Sequence, residues 1–273
     1  MKLKSILRHF DRAYTKGRLF LLYRGASLAE YRRILKKNTN PILIGGCGRS
    51  GTTLLLSLIS AHPDIYAVPY ETEAFTPGSY SPEGNVPANG DFCIDFVYTH
   101  FLEPDVDLEK VTRWCEKTPM NVHFFGRLVE YFGPGMRFLN IVRDGRDVVT
   151  SHHPNDPTSY WVSPNRWVRD VQAGREVEDH AQCLTIKYED LVKDPLDYLR
   201  EICEFVGEDY SEKFEDYPET ATIQSSSAWF GEAESVQRRS EERWKKEEHQ
   251  EILGRLLDMP KAVDHLQHYD YVS

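Results

Sequence analysis

Gly45-Gly46-Cys47-Gly48-Arg49-Ser50-Gly51-Thr52-Thr53 lies between a short apolar run, Ile42-Leu43-Ile44, and a helical stripe of Leu54, Leu55, Leu58 and Ile59. From Gly46 it has Gly-x4-Gly spacing and then passes straight into the helix start. A loop of that kind turns successive backbone N–H groups, and the positive end of the helix, toward one anion. Its departure from a nucleoside-triphosphate loop is specific. Thr52 stands where that loop carries Lys, and Arg49 supplies a cation inside the loop instead. This suits an anion with less charge than a triphosphate, such as a phosphosulfate, and calls for no magnesium.

Outward from this loop, short apolar runs alternate with helical stretches, the pattern of a mainly parallel sheet covered by helices. Further strands are predicted over 65–68, 113–115, 138–142 and 184–188. Asp194-Pro195 reads as a helix start, with Leu196, Leu199, Ile202 and Val206 as its buried stripe. Segments 76–90 and 151–164, with three prolines each, read as long loops of the kind that form binding lids. The charged stretch 241–250 reads as a solvated helix face.

The 273 residues suffice for one substantial core, and their 28% charged and 40% hydrophobic content is ordinary for a soluble domain. The formal charge of -10 argues against a nucleic-acid partner, but it is unevenly distributed. Residues 1–37 hold 11 Lys/Arg against 2 acidic residues, whereas the remainder holds 22 against 41. The chain therefore divides into a basic arm, 1–37, and a domain, 38–273. In the arm, Leu3, Ile6, Leu7, Phe10 and Tyr14 fall at helical spacing among Lys and Arg, which suits an anionic membrane surface, the acidic domain or a subunit contact. Five scattered cysteines without a C-x-x-C pair suit reduced thiols and a cytoplasmic setting. No metal-ligating spacing stands out, and His152-His153 reads as an exposed pair.

Four further segments bear on chemistry. Glu116-Lys117-Thr118-Pro119 and Arg143-Asp144-Gly145-Arg146-Asp147-Val148-Val149-Thr150-Ser151 each follow a predicted strand. They therefore sit at the carboxyl edge of the sheet, where open α/β folds bind ligands. Lys187-Tyr188-Glu189-Asp190-Leu191-Val192 follows another strand, and Arg238-Arg239-Ser240 precedes Trp244-Lys245. Arg146 reads as a structural ion-pair partner. Tyr188 reads either as a ligand neighbour or as a core tyrosine.

Taken in order with the loop Gly48-Arg49-Ser50-Gly51-Thr52-Thr53, these segments resemble the sulfotransferases that use 3′-phosphoadenosine 5′-phosphosulfate (PAPS). The likeness is nearest to the branch that includes bacterial and tyrosylprotein sulfotransferases. It implies a P-loop NTPase-like, three-layer α/β fold with a central, mainly parallel sheet flanked by helices. It implies metal-independent, in-line transfer of a sulfuryl group to an acceptor hydroxyl, with 3′-phosphoadenosine 5′-phosphate (PAP) as product. The resemblance assigns the loop to the 5′-phosphosulfate and Lys117 to catalysis. It assigns Arg143, Ser151, Arg238 and Arg239 to the 3′-phosphate and Tyr188 to the adenine. Glu71, in Pro69-Tyr70-Glu71-Thr72-Glu73, matches the catalytic base of the tyrosylprotein branch, with His100 and His123 as the histidine alternatives. Glu73 stands where that branch has a basic residue, a departure at the acceptor side. Two rival readings are a magnesium-dependent P-loop kinase or NTPase, which lacks its Lys here, and a non-catalytic nucleotide-binding module.

Overall fold

The apolar run after Pro41 pairs on both of its sides. In the computed structural model, which describes residues 28–76, 91–102, 106–107, 109–153, 156–224 and 242–272, it forms β1 (Ile42–Gly46). Beyond β1 on one side lie β3 (Arg113–Lys117) and then β2 (Ile65–Ala67). On the other side lie β4 (Arg137–Val142) and then β7 (Cys183–Lys187). All four pairings are parallel, and the order is β2-β3-β1-β4-β7. Every strand expected from the sequence is present, within a residue or two of its expected ends.

Both faces of this sheet are covered, so its central strand β1 is apolar without a polar alternate. Ile42 and Ile44 of β1, with Leu139 and Ile141 of β4, join one hydrophobic cluster, against Leu55, Leu58, Leu199 and Ile202. Leu43 and Phe138 point to the other cluster, with Trp114, Val122, Phe125 and Leu128. A third cluster of Val142, Val148, Trp167, Val171, Leu253 and Leu266 closes the end of the sheet where the loops gather. Each fully buried Leu or Ile contributes about 1.5–3 kcal/mol relative to exposure.

The helices are α1 (Leu28–Lys36), α2 (Thr52–Ile59), α3 (Asp95–Tyr98), α4 (Phe125–Phe132), α5 (Gly145–Val149) and α6 (Pro164–Arg175). They continue with α7 (Tyr188–Lys193), α8 (Pro195–Val206), α9 (Gln250–Leu257) and α10 (Pro260–His268). Helix α8 starts after Asp194 as expected, although that side chain makes no capping bond. Among the described residues no helix is long and apolar enough to cross a membrane. Residues 1–27 of the basic arm and 77–90 of the first proline-rich loop lie outside the described residues. The end of the arm that is described, α1, packs on the domain. Ile34 is fully buried in the second cluster, and Trp114 Nε1 donates to the Lys37 carbonyl at 3.0 Å.

Two expectations change. Segment 151–164 is not an irregular loop: β5 (His152–His153) and β6 (Asp156–Tyr160) form an antiparallel hairpin. Of stretch 241–250, residues 242–249 form no α-helix but two short 3₁₀ turns, Arg243–Lys245 and Glu247–His249, and His249 is buried. Among residues 242–249 of the second stretch only His249 is buried, while Glu242, Lys245, Lys246, Glu247 and Glu248 are exposed as expected.

Gly46 shows how tightly the anion loop is set against the sheet. Its φ is +136°, and a Cβ there would lie 2.3 Å from the Ile141 carbonyl of β4. A strand backbone in mid-sheet has no room to yield. Gly46→Ala is therefore expected to lower unfolding free energy by about 2–4 kcal/mol in a denaturant titration.

Candidate active site

Each strand that flanks the centre of the sheet ends on a polar residue at the same edge. β1 runs into the anion loop, β3 ends on Lys117, β4 is followed by Arg143, and β7 by Tyr188. The register pairs Ile44 with Lys117 and Gly46 with Ile141, so loop, lysine and arginine share one rim. In the loop, Ser50 N–H donates to the Cys47 carbonyl at 3.2 Å, and α2 starts at Thr52. Arg49 takes φ of +71°, a left-handed conformation that costs a non-glycine residue on the order of 1–2 kcal/mol. Ser50 is fully buried, and its Oγ has no hydrogen-bond partner among the described residues. Thr52 and Thr53 are also buried.

Lys117 is almost wholly buried, with 4% of its side chain exposed, and its Nζ lies 2.5 Å from Glu71 Oε1. The Glu71 side chain is 43% exposed. One partner is thus fixed inside the domain and the other faces out. What brings Glu71 there is Glu116. This fully buried carboxylate accepts from Thr72 N at 3.1 Å, Thr72 Oγ1 at 2.8 Å, Thr118 Oγ1 at 2.7 Å and Asn121 Nδ2 at 2.9 Å. Burial pushes its pKa up, and the bonds from Thr118, Asn121 and Thr72 oppose that rise. Asn121 also donates to the Ile44 carbonyl at 3.2 Å, so the knot is tied to β1 as well.

A second knot lies on the far side of β1. Arg143 Nη1 donates to the Arg49 carbonyl at 3.2 Å, and Arg143 Nη2 is 3.8 Å from Asp147 Oδ2. Ser151 Oγ donates to the Asp147 carbonyl at 2.9 Å and accepts from Arg243 Nη2 at 2.7 Å. Asp147 in turn accepts from the Glu242 N–H at 2.8 Å and the Trp244 N–H at 3.4 Å, which holds the C-terminal segment over α5. Arg146 reinforces this: it pairs with Asp144 at 2.6 Å and its guanidinium lies 4.2 Å from the Trp244 ring centre. Burial, then Arg143 and Arg49 nearby, draw the Arg243 pKa down to about 10, so the group stays cationic at neutral pH. Burial and Arg143 lower Arg49 likewise. Burial raises Asp147, against the pull of Arg143. Guanidiniums held this close repel one another, and an anion among them relieves that repulsion.

The geometry has the parts of a nucleotide-dependent group-transfer site, and comparison supplies the family. The model described as "Sulfotransferase family" matches residues 41–91 and 92–212, more than half the chain. The chain belongs to the sulfotransferase family. It is 27% identical over 194 residues to the protein-tyrosine sulfotransferase of Drosophila melanogaster, covering 60% of this chain and 37% of that protein. It is 26% identical over 202 residues to protein-tyrosine sulfotransferase 1 of Danio rerio, covering 64% of this chain and 55% of that one. The chain thus matches about a third to a half of these relatives' length. Among solved structures, the sulfotransferase domain of the Synechococcus olefin synthase superposes with a TM-score of 0.57 at 17% identity, covering 87% of this chain and 97% of that one. A mouse sulfotransferase complexed with PAP gives 0.52 at 16% identity, covering 86% and 90%. These structures share the P-loop-like α/β fold.

Within this member of the family the predicted residues divide clearly. Gly48, Arg49, Ser50, Gly51, Thr52 and Thr53 form the loop, with Lys117, Glu71, Arg143 and Ser151 around it. Tyr188 is buried, and its ring packs under Arg143, 4.2 Å from the guanidinium carbon, and against Gly51, where a Cβ would come within 2.4 Å. It acts as a packed support for both. Arg238 and Arg239 lie outside the described residues. His123 is engaged by Asp170 at 2.8 Å, and the His100 ring lies 5.8 Å from that of Tyr70, the neighbour of Glu71. Sequence reasoning missed Arg243, Asp147 and Glu116. Glu116 and Asp147 both lie inside segments that the sequence singled out, but their holding roles depend on partners far along the chain.

Removing the Glu116 carboxylate takes an acceptor away from four donors. Glu116→Ala is expected to lose about 3 kcal/mol or more in denaturant unfolding, and Glu116→Gln, which keeps one acceptor oxygen, distinctly less.

Proposed function

We propose that this chain transfers the sulfuryl group of PAPS to the hydroxyl of an acceptor, with Lys117 and Glu71 as its catalytic pair. The observation that carries the reading is the 2.5 Å contact between the buried Lys117 ammonium and the accessible Glu71 carboxylate, at the rim of the anion loop. A lysine alone would be a binding cation. Paired with an outward carboxylate, it forms a site that supplies a base to one oxygen and a positive charge to another.

The residues present fit PAPS. The unpartnered, buried Ser50 Oγ and the N–H groups at the start of α2 suit the 5′-phosphosulfate. Arg143, Ser151 and Arg243, joined through Asp147, suit the 3′-phosphate, with Arg238 and Arg239 as further candidates on the same segment. When bound, PAPS supplies an activated sulfuryl group on a good leaving phosphate. Glu71 takes the acceptor's hydroxyl proton as the new oxygen–sulfur bond forms. Lys117 neutralises charge on the bridging oxygen as the old bond breaks, and PAP departs. Holding the groups in line accounts for much of the effect, as in phosphoryl transfer. Thr52 in the lysine position and Arg143 directly after β4 favour this reading over a magnesium-dependent NTPase.

The acceptor bears a hydroxyl, and the names of the curated relatives make the phenol of a tyrosine the first to try. The setting proposed is cytoplasmic, with the basic arm available to an anionic membrane surface.

Release of PAP measured with an acceptor panel, EDTA present, tests the reaction itself. Lys117→Ala is expected to lower kcat far more than it weakens PAPS binding, because the charge it meets develops in the transition state. A raised KM at unchanged kcat would show that Lys117 only binds. Glu71→Gln is expected to keep PAPS affinity and to lower kcat about 10²-fold or more. Normal turnover in that variant, with loss in His100→Ala or His123→Ala, would move the base to a histidine.

Arg243→Ala is expected to weaken PAP by about 1.5–3 kcal/mol and to change the affinity of its 3′-dephospho analogue little, in paired calorimetric titrations. Equal losses for the two ligands would remove Arg243 from the 3′-phosphate.

A further inference from the structure

The hairpin that follows Ser151 and the segment that follows Arg243 meet at three side chains with no part in sulfuryl transfer. His152, Glu248 and His249 each offer a ligand atom, and these atoms all lie within 4.8 Å of one another. The residue that organises them is Tyr160 of β6. Its ring stacks on His152 at 5.1 Å between centres and 28° between planes. Its hydroxyl lies 2.8 Å from His249 Nδ1 and 3.3 Å from the Glu248 carbonyl. With the tyrosine proton on the Glu248 carbonyl, the hydroxyl oxygen accepts from Nδ1–H of His249. That leaves His249 Nε2 as a lone pair, and Nε2 is the atom that faces Glu248 Oε1, at 3.6 Å. On His152, Nδ1 is buried without a hydrogen-bond partner among the described residues.

From this geometry we infer that His152, His249 and Glu248 form a binding site for a transition-metal dication of the zinc class. Two imidazoles and one carboxylate are a nitrogen-rich set that zinc takes readily and magnesium or calcium does not. The bond from His249 Nδ1 to Tyr160 is the outer contact that metal-ligating histidines use to fix tautomer and ring orientation. In a tetrahedral zinc site, ligand atoms lie about 3.4 Å apart. The exposed Glu248 can close that gap by rotating its side chain. The ion would fasten the β5–β6 hairpin to the C-terminal segment, next to Ser151 on one side and Arg243 on the other. Three protein ligands leave the fourth position to water, and the ion's role is to join the hairpin to the C-terminal segment.

The test uses the untagged full chain, stripped of metal with a chelator and titrated with ZnCl2 in competition with a chromophoric chelator. One site per chain is expected, together with a rise in Tm on adding zinc, since a ligand that binds only the folded state stabilises it. Co²⁺ is expected to give the visible absorption of a four-coordinate site. His152→Ala should weaken zinc by more than about 100-fold and abolish the cobalt band, and Tyr160→Phe should weaken it by about 10–100-fold. His153→Ala, whose ring stacks on Trp161 instead, should leave both unchanged. His249 is buried, so if His249→Gln fails to fold, the half-buried His152 decides the question. Absence of a stoichiometric zinc site, or a zinc affinity and cobalt spectrum unchanged in His152→Ala, overturns the proposal.

Discussion

The carboxylate of Glu116 is withdrawn completely from water, and the arrangement of Lys117 and Glu71 at the rim of the sheet depends on it. Taking a carboxylate out of water costs several kcal/mol unless its lone pairs are occupied. Here Thr72, Thr118 and Asn121 occupy them. The requirement runs both ways: the buried charge needs those donors, and meeting the need draws the segment after β2 against the end of β3. Glu71 is carried to Lys117 as a result. A loop that would otherwise be free to wander holds its carboxylate at 2.5 Å from an ammonium because the residue beside that ammonium must be solvated by protein.

Asp147 plays the same part on the other side of the anion loop. It stands within reach of Arg143 and accepts two backbone N–H groups from a segment almost a hundred residues further along. In doing so it sets Arg243 on Ser151. Charged groups in this member of the sulfotransferase family thus serve two layers of purpose. Glu116 and Asp147 hold distant backbone in place, and Lys117, Glu71, Arg143 and Arg243 are the groups we propose present charge to a ligand. The cost of holding cations together without an anion is what prepares the site to bind one.

The hairpin after Ser151 extends this logic away from the rim. A stretch rich in proline and histidine reads as solvated because its composition resembles that of loops. In the folded chain, Tyr160 stacks on His152 and hydrogen-bonds to His249, so both histidines are oriented by one ring. Orientation of that kind is what distinguishes a ligand set from a chance cluster.

Much of this was legible in the chain itself. Strand positions followed from short apolar runs alternating with helical stretches, the pattern of a sheet covered on both faces. The anion loop followed from Gly-x4-Gly between a strand and a helix, and Lys117 and Arg143 from their places directly after strands. Those are local properties, set by backbone geometry over a few residues. Arg243, the partnership of His152 with His249, and the roles of Glu116 and Asp147 were not legible. Each depends on contacts between residues dozens of positions apart, such as Arg243 with Ser151 or Thr72 with Glu116. Sequence spacing carries no record of which distant donor meets a buried acceptor. The amino-acid order by itself determined that there would be a sheet edge with an anion loop and cations beside it. Only tertiary packing decided which side chains reach that edge, because burial obliges each polar group to find its partner wherever the fold brings one.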